Sequence, residues 1–540
     1  MLSILAPMQI KLTHLATNTS NGFILNINAK TYVINMFEGF QRFCTEYGIP
    51  LGNIDVVFST RIENLNGILG WYLTMGDQGK RNCGFVGDYK FDIESIKRIG
   101  YRPSFTFLDT YDCIYEDEYI KPTLTTIDNI TNYYIELPNV AGSLIAEKLP
   151  RGFPVNCIKK LKAKEKVVVD GVEYDGSDYC NQDIVLGGLL FLYSTKINSE
   201  IIDLCKKAKW VFCMNREVIH TLNRTEMVAN IFNCTRNGNI EYIKQFRKLQ
   251  EIGNIIQPIT NTNGVEENIL NNMDHFIYSK EVSDLKLIRN ETKVVNERTN
   301  SFPKKYLLFL GTGCAVPAKT RATSSILLQN DGYSILLDCG EDTIGQIKRA
   351  YGNCNIIQTL RVIYLSHSHP DHMLGLVAVL METKNEITVI GSQLVEKYLK
   401  NFNIANWKFI DIFTTTEYNH DDNLTFQFAR SVHNIDSFFT TVEFNNFRFS
   451  YSGDCRPSKL FAELSRDCDL MIHERTFDDM QIDKAIKTNH STESEAIDIF
   501  KQSNSRKLIL THFSQRNEVL YTEVTDHIQN AYDFYIYDDF

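Results

Sequence analysis

The sequence predicts an α/β fold of packed layers that is present twice in one chain. Short runs rich in Val, Ile, Leu, Phe and Tyr alternate with helical stretches such as SKLFAELSRD, a pattern that favours helices packed outside β-sheets. Similar segments also occur in the same order in the two halves, which indicates an internal duplication. At about 150 residues per domain, the 540 residues leave room for two large domains or three to four ordinary ones.

Three pairs of segments carry the repeat. SSILLQNDGYSILLDCGEDTIGQI matches the earlier GFILNINAKTYVINMFEGFQRF, and LRVIYLSHSHPDHMLGLVAVL matches IDVVFSTRIENLNGILGWYL with a one-residue gap. FSYSGDCRP likewise matches LFLYSTKIN. Chance similarity between β-rich segments is the alternative, but three matches in order disfavour it. Polar residues of the second half have non-ligand counterparts in the first, namely Asn35 for Asp338 and Thr60 for His367. We therefore expect a degenerate first half.

Composition changes along the chain suggest where the halves divide. Residues 241–302 are polar and Asn-rich, so we predict a connector there between a degenerate domain over 1–240 and a catalytic domain over 303–540. Only His14, His220 and His275 precede residue 301, so nine of the twelve histidines lie in the C-terminal part. Chemistry that uses imidazole is therefore expected in that part.

Charge and cysteine usage bound the class of protein. The 56 basic and 66 acidic residues give a net charge of −10, which excludes a generally basic nucleic-acid coat but not a local basic groove. Thirteen scattered cysteines without a C-x-x-C pair predict reduced, mostly buried thiols. No apolar run has the length of a membrane span, and the N-terminus lacks the features of a signal or transit peptide. We expect a nuclear or cytosolic protein without membrane association.

The run HSHPDH, from His367 to His372, is the main candidate for a metal site. It follows the predicted strand LRVIYL and precedes the helical MLGLVAVLMET. Alternate residues of an extended segment point the same way, so His367 and His369 can face one point. The turn at Pro370 then lets Asp371 and His372 face a second. Imidazole and carboxylate ligands suit zinc, and they also accept manganese or iron. A solvated polar loop is the alternative, which four potential ligands in six residues make improbable.

Three further candidates are weaker when each is taken alone. His433 and His512 could be surface histidines, and Asp454 could be an ordinary turn aspartate. All three follow predicted strands, however, and α/β sheets collect ligands at the carboxyl ends of their strands. An aspartate shared between two metal positions would give two sites with open coordination positions.

These motifs resemble those of metallo-β-lactamase-fold hydrolases, and within them the long form of the tRNase Z family, endonucleases that trim tRNA 3′ ends. Shared across the superfamily are H-x-H-x-D-H, LDCGE around Asp338, SGD at Asp454 and THF at His512. More specific are three motifs, HERTF at His473–Phe477, HST at His490–Thr492, and PAKTRA at Pro317–Ala322, which is similar to P-x-K-x-R-N. The resemblance covers residues 304–515 and, more faintly, the N-terminal half. It implies a duplicated αββα sandwich with a degenerate first half.

The resemblance also implies the ligand sets, with two zinc ions per chain and manganese as a possible substitute. Asp338 would orient the imidazoles from behind. One zinc ion would be held by His367, His369, His433 and the bridging Asp454. The other would be held by Asp371, His372, Asp454 and His512.

For catalysis, the resemblance implies that Asp371 accepts a proton from the attacking water and that Glu474 with His490 serves the leaving 3′-oxygen. Taken alone, Glu474 is typical of a surface carboxylate and His490 of a helix N-cap. The phosphate contacts would come from the loop with Pro317, Lys319 and Arg321. The final Asn of the family's P-x-K-x-R-N motif is Ala322 here. HERTF resembles the family's H-E-A-T motif, whose Ala is Arg475 in this chain. These two departures bear on how strictly tRNAs that already carry CCA are rejected.

The expected substrate is precursor tRNA, which would be left with a 3′-hydroxyl while the trailer keeps a 5′-phosphate. The basic run IKKLKAKEK, Ile158–Lys166, is by default a solvated hairpin edge, and it also resembles the border of the family's tRNA-binding arm. The internal duplication predicts a monomer. Three rival functions are a thioesterase of the glyoxalase II type, an mRNA 3′-end nuclease and a non-catalytic tRNA-binding protein. The mRNA nuclease would need a large insert, and the stretch between Asp454 and His512 leaves no room for one.

Overall fold

Each half of the chain is built from two facing β-sheets with helices on their outer faces. The computed structural model describes residues 8–17, 20–61, 65–79, 82–87, 106–109, 115–222, 230–233, 274–279, 284–288, 301–515 and 525–540. None of the helices in these ranges is both long and apolar enough to cross a bilayer.

The N-terminal half contains β1–β15 and α1–α5. Its first sheet is formed by β1 (Ile10–Ala16), β2 (Asn21–Ile27), β3 (Lys30–Ile34), β4 (Val56–Phe58), β5 (Asn82–Val86), β6 (Thr106–Asp109), β14 (His275–Ser279) and β15 (Asp284–Ile288). Its second sheet is formed by β7 (Lys121–Ile127), β8 (Ile130–Glu136), β11 (Gly188–Leu192), β12 (Ala208–Cys213) and β13 (Asn230–Asn233). A separate hairpin pairs β9 (Lys166–Val169) with β10 (Val172–Asp175). The helices are α1 (Phe40–Tyr47), α2 (Leu65–Asp77), α3 (Val155–Lys162), α4 (Ser199–Lys207) and α5 (Arg216–Leu222).

The C-terminal half contains β16–β29 and α6–α12. Its first sheet is formed by β16 (Lys305–Gly311), β17 (Ser325–Asn330), β18 (Tyr333–Cys339), β19 (Leu360–Tyr364), β20 (Ile387–Gly391), β21 (Trp407–Asp411) and β29 (Tyr535–Tyr537). Its second sheet is formed by β22 (Glu417–Asp421), β23 (Leu424–Arg430), β24 (Phe438–Phe444), β25 (Phe447–Tyr451), β26 (Leu470–Glu474), β27 (Leu508–Thr511) and β28 (Ile528–Asn530). The helices are α6 (Thr343–Tyr351), α7 (Pro370–Met373), α8 (Leu376–Glu382), α9 (Gln393–Leu399), α10 (Lys459–Leu464), α11 (Ile482–Thr488) and α12 (Glu493–Ser503).

Sheet topology repeats between the halves. Strands β1 to β6 pair in chain order, first antiparallel twice and then parallel three times. Strands β16 to β21 follow the same order and the same directions. Asn35 and Asp338 occupy corresponding positions, and both have left-handed backbones with φ of 63° and 54°. In the second sheets, β7-β8-β11-β12 matches β23-β24-β25-β26 in order and direction. The structure therefore repeats at the positions where the sequence segments match.

The predicted connector needs a correction. Within residues 241–302, β14 pairs with β1 and β15 pairs with β14, so both belong to the first sheet of the N-terminal half. Phe276 and Leu285 from these strands are buried in that half's core. The Asn-rich flanking sequence obscured two short strands with enough apolar residues to cover the edge of β1. The rest of that segment, apart from 274–279, 284–288 and 301–302, lies outside the described residues.

The basic run in the N-terminal half does not lie mainly on the hairpin edge that its sequence predicts. Lys159, Lys160 and Lys162 lie on the last turn of α3, where cations interact favourably with the helix dipole, rather than on a hairpin edge. The strand–turn–strand that follows is the hairpin of β9 and β10. Both elements fall between β8 and β11, where the C-terminal half has only a tight turn between β24 and β25. This segment is thus an insertion specific to the first half.

An apolar core with reciprocal polar contacts joins the two halves. Buried side chains of α1 and α2 form one cluster with those of α6, α8 and α9. Across this cluster the backbone N–H of Asp342 donates to Glu38 Oε1 at 3.1 Å, and that of Gly39 donates to Glu341 Oε1 at 3.2 Å. Glu38 lies three residues after Asn35, and Glu341 lies three residues after Asp338, so the two glutamates occupy equivalent positions in the two halves. The halves therefore meet through the same surface of each, as two subunits do across a two-fold axis.

Candidate metal centre

The predicted site residues meet at one edge of the C-terminal half, beyond the carboxyl ends of its strands. His367 and His369 follow β19, and Pro370 begins α7, as proline commonly does at a first helical position. The remaining candidates come from the second sheet and the segments after it. His433 follows β23, Asp454 follows β25, Glu474 ends β26, His490 lies between α11 and α12, and His512 follows β27.

A first donor group contains three imidazoles and one carboxylate. The ligand atoms of His367, His369, His433 and Asp454 all lie within 4.8 Å of one another. His433 Nε2 lies 3.1 Å from His369 Nδ1, and Asp454 Oδ2 lies 3.7 Å from Nε2 of both His367 and His433. Three imidazoles with a carboxylate form a donor set that suits zinc.

A second donor group shares Asp454 with the first. His372 Nε2 lies 3.3 Å from Asp454 Oδ2, and His512 Nε2 lies 3.3 Å from Asp454 Oδ1. Asp371 Oδ2 lies 3.4 Å from His512 Nε2 and 3.7 Å from His372 Nε2. The structure thus brings all seven predicted ligands together, with one carboxylate between two groups.

Several buried atoms of this cluster have no partner within the described protein. His367 Nε2, His372 Nε2 and Asp454 Oδ1 make no hydrogen bond, although a buried polar atom without a partner is costly. Burial and the neighbouring imidazoles hold the pKa of His367 well below its usual range, and burial lowers the pKa of His369 to about 4. Burial alone would raise the pKa of Asp454, but His372 and His512 hold it well below its usual range. Neutral imidazoles at His367 and His369 beside an ionised Asp454 are the ligand forms, so this first donor group fits a metal cofactor.

Asp338 lies behind the cluster and fixes the orientation of two imidazoles. Its Oδ2 lies 2.6 Å from His372 Nδ1 and accepts from Tyr451 Oη at 2.6 Å. Ser366 donates its backbone N–H to Oδ1 at 2.7 Å and its hydroxyl to Oδ2 at 2.9 Å. The same hydroxyl lies 3.0 Å from His367 Nδ1. A contact at Nδ1 fixes each ring so that its Nε2 faces the donor groups, which is what the outer partners of metal-binding histidines do. Ser366 and Tyr451 carry no sequence signal that predicts this role.

Glu474 and His490 form a buried pair beside the second donor group. Glu474 Oε1 lies 2.8 Å from His490 Nδ1 and accepts the N–H of Cys455 at 3.0 Å. Burial would lower the pKa of His490, but Glu474 outweighs it and raises the pKa to about 9. The N-cap of α12 is Thr492, in a capping box with Glu495, so His490 is not a cap.

Thr476 links this pair to the metal ligands and was missed by sequence reasoning. Its hydroxyl donates to Glu474 Oε2 at 2.7 Å and lies 3.2 Å from His490 Nδ1 and 2.9 Å from His512 Nδ1. The hydroxyl can therefore orient His512 in the way that Asp338 orients His372. Its place in HERTF is the signal that could have identified it.

The loop expected to contact phosphate needs a correction at Arg321. The guanidinium is buried, its Nη1 donates to Thr312 Oγ1 at 2.5 Å and to Ala531 O at 3.1 Å, and its carbon lies 4.3 Å from the centre of the Phe513 ring. These contacts support the wall of the site rather than present the charge to a ligand. Lys319 is exposed and Pro317 is buried.

Residues of both halves line the cavity that opens over the centre. It has a volume of about 590 Å³ and includes His369, Asp371, His433 and His490. From the N-terminal half, the wall includes Gln41, Gly70, Leu73 and Thr74. The degenerate half therefore contributes to the shape of the site although its own counterparts of the ligands are lost.

Comparisons with known proteins agree with this architecture. A family described as Beta-lactamase superfamily domain matches residues 333–513. Ribonuclease Z, mitochondrial, of Drosophila melanogaster is 34% identical over 259 residues, covering 42% of this chain and 33% of that protein. The tRNase Z TRZ3, mitochondrial, of Arabidopsis thaliana is 22% identical with coverage of 95% of this chain and 82% of that protein. The matched part of the chain thus spans about a third of the length of the Drosophila relative.

The fold is also similar to that of a solved structure. The crystal structure of a long form RNase Z from yeast superposes with a TM-score of 0.69 at 19% identity, covering 98% of both chains. The prediction of a duplicated metallo-β-lactamase fold with an α/β architecture is therefore confirmed, and the chain is similar to ribonuclease Z proteins, as its motifs predict.

Proposed function

We propose that this chain, in which residues 333–513 match the β-lactamase superfamily domain, is an endoribonuclease that removes the 3′ trailer from precursor tRNA. One observation carries the proposal: two donor groups share Asp454, and His490, which is paired with the buried Glu474, lines the cavity beside them. The relatives named ribonuclease Z and tRNase Z support the choice of substrate.

Two zinc ions fit the donor groups best, with manganese as a substitute. One would be held by His367, His369, His433 and Asp454, and the other by Asp371, His372, Asp454 and His512. When bound, such ions supply an activated water and neutralise charge on the phosphate oxygens.

Asp371 is placed to accept the proton of the attacking water. Its Oδ2 accepts the backbone N–H of Ala315 at 2.6 Å, which fixes the carboxylate at the cavity wall. Burial would raise the pKa of Asp371, but His372 and His512 hold it well below its usual range. The carboxylate is therefore ionised at neutral pH and can act as a base.

His490 is the candidate acid for the leaving 3′-oxygen of the tRNA. Glu474 lies at one ring nitrogen and leaves Nε2 as the atom that can deliver a proton. As water attacks phosphorus, the bond to the 3′-oxygen breaks and the proton from His490 completes the 3′-hydroxyl. The phosphate stays on the trailer. His490 lines the cavity, so it is accessible to that oxygen.

The N-terminal half has a supporting role in this proposal. Exposed lysines on α3 supply a local positive charge in a chain whose net charge is −10. The reciprocal contacts of Glu38 and Glu341 join the halves as a dimer interface would, which favours a monomer. We further propose a nuclear or cytosolic location and a functional division near residue 303.

Cleavage of an end-labelled precursor tRNA tests the proposal. Zinc-loaded wild type is expected to cut after the discriminator base, and chelator should abolish this cut. Asp371→Ala should reduce the rate by about 10²- to 10⁴-fold. His527→Ala, in the same half but remote from the centre, is the control and should retain the wild-type rate. A folded, metal-loaded wild type that leaves precursor tRNA intact would overturn the proposal, and thioester substrates would be tested next.

A further inference from the structure

A cysteine thiol lies against the second donor group. Ligand atoms of Cys314, Asp371 and His512 are all within 4.8 Å of one another. Cys314 is partly exposed and lines the cavity over the centre. Two donors bound to one zinc ion are at most about 4.4 Å apart, so a small shift brings the sulfur into the coordination sphere that includes Asp371 and His512.

Hydrogen bonds donated by two backbone N–H groups hold the turn that carries this thiol. The N–H of Cys314 donates to Phe513 O at 3.1 Å, the residue directly after His512. The next residue, Ala315, donates its N–H to Asp371 Oδ2 at 2.6 Å and has a left-handed backbone with φ of 63°. One tight turn therefore contacts Asp371 and the segment of His512 together. A residue outside glycine, asparagine and aspartate in this conformation costs free energy, which indicates that surrounding contacts hold the turn.

A second observation points to a ligand at this place. His372 Nε2 and Asp454 Oδ1, both buried, have no hydrogen-bond partner in the described protein and belong to the donor group that shares His512 with Cys314. The thiol is therefore next to atoms that lack a partner, and not on an isolated surface. Among the described cysteines, Cys455 also adjoins a ligand in sequence, but it forms no part of any donor group within those residues.

We infer that Cys314 is a further ligand of the second metal position and that its thiolate makes this position selective for zinc and other thiophilic divalent ions. Binding forms the sulfur–metal bond and releases the thiol proton to solvent. A soft thiolate favours zinc, cobalt or cadmium over manganese or magnesium, which prefer oxygen ligands. The inference rests on the second metal position of the proposed function, and it assigns a ligand beyond that proposal.

Cobalt substitution tests the bond directly, with a spectroscopic readout that does not depend on activity. The full chain is loaded with excess cobalt(II), and bound cobalt is measured by elemental analysis. Wild type and the control Cys455→Ala should show a near-ultraviolet thiolate-to-cobalt charge-transfer band, and Cys314→Ser should lack it. Wild type with two bound cobalt ions and no band would overturn the inference alone. Wild type that binds no cobalt would overturn the metal-dependent function as well.

Alkylation by iodoacetamide gives an independent test with an internal reference. Only the thiolate is nucleophilic, so zinc loading should slow modification of Cys314 by at least about tenfold. Cys157 is also partly exposed but lies on α3, and its modification rate should not change. Equal modification of Cys314 with and without bound zinc would contradict the inference.

Metal competition tests the selectivity. Cys314→Ser should lower the preference of the second position for zinc over manganese by about 10- to 100-fold, because an oxygen donor replaces the thiolate. Dissociation constants for both ions in wild type and variant measure this ratio. An unchanged ratio would show that the sulfur does not set the choice of metal.

Discussion

The carboxylate of Glu474 lies 2.8 Å from Nδ1 of His490, and both side chains are buried beside the metal ligands. This pairing gives the imidazole a fixed orientation and stabilises its charged form. Two of the metal-binding imidazoles differ, because Nε2 of His367 and Nε2 of His372 are buried without a hydrogen-bond partner among the described residues. Within one cavity, the site thus separates residues suited to metal binding from a residue suited to proton donation.

Glu474→Gln is expected to impair proton donation more than substrate binding. The amide keeps the size of the side chain but removes the charge that stabilises protonated His490. We predict a fall in kcat of about 10²-fold on precursor tRNA with little change in KM. A bis(p-nitrophenyl) phosphate substrate, whose leaving group needs no proton, should be affected much less. Equal losses on both substrates would argue against His490 as the acid.

Asp338→Asn should weaken metal binding without removing a metal ligand. Asp338 accepts hydrogen bonds at both carboxylate oxygens, from Ser366, Tyr451 and His372. An asparagine amide has only one oxygen and cannot accept all of them, so the imidazoles lose their fixed orientation. Zinc affinity should fall by about 10- to 100-fold in a chelator competition assay. The matched control is Asn35→Gly at the equivalent position of the first half, where glycine tolerates the left-handed backbone. An equal effect of both variants would indicate a general loss of stability.

The contact between the halves predicts a pH-dependent stability. Burial and the nearby Asp342 raise the pKa of Glu341 to about 8, although its hydrogen bond from Gln41 opposes this. Glu38 faces the same place with its own pKa raised by burial, and Arg349 pairs with Asp342 at 2.8 Å. Because the folded state retains a proton that the unfolded chain loses near pH 4.3, this group destabilises the fold as pH rises from about 4.3 to about 8.

Glu341→Gln should remove the part of this dependence that comes from Glu341. The free energy of unfolding of the metal-free variant, relative to wild type, is expected to increase with pH across that window, by up to about 1.4 kcal/mol per pH unit. Urea denaturation at several pH values measures it. A difference that stays constant between pH 5 and pH 8 would show that Glu341 titrates normally.

The lysines of α3 should matter for tRNA but not for small substrates. Changing Lys159 and Lys160 to Glu reverses the charge of an exposed helix end. We predict a raised KM for precursor tRNA with a reduced salt dependence, and unchanged hydrolysis of bis(p-nitrophenyl) phosphate. Lys206 and Lys207, on the last turn of α4, provide the matched control when changed in the same way. An equal effect of both sets would point to net charge alone.

The metal ligands could be predicted from sequence because five of them come shortly after a strand and Asp371 and His372 lie on the short helix that follows β19. The sheet order brings those strand ends together. The duplication was also visible, since equivalent strands keep similar apolar runs. Contacts between distant segments were not predictable. Arg321 is buried against Phe513 and donates a hydrogen bond to the carbonyl oxygen of Ala531, about two hundred residues further along the chain. The proximity of Cys314 to His512 likewise depends on a turn and a strand almost two hundred residues apart in sequence.

The most direct test of the central claim is to map the product ends from precursor tRNA cut by the zinc-loaded chain. We expect one cut after the discriminator base, with a 3′-hydroxyl on the tRNA and a 5′-phosphate on the trailer. His490 protonates the 3′-oxygen, and the attacking water adds to the trailer phosphate. A 2′,3′-cyclic phosphate on the tRNA, or cuts at scattered positions, would contradict the central claim.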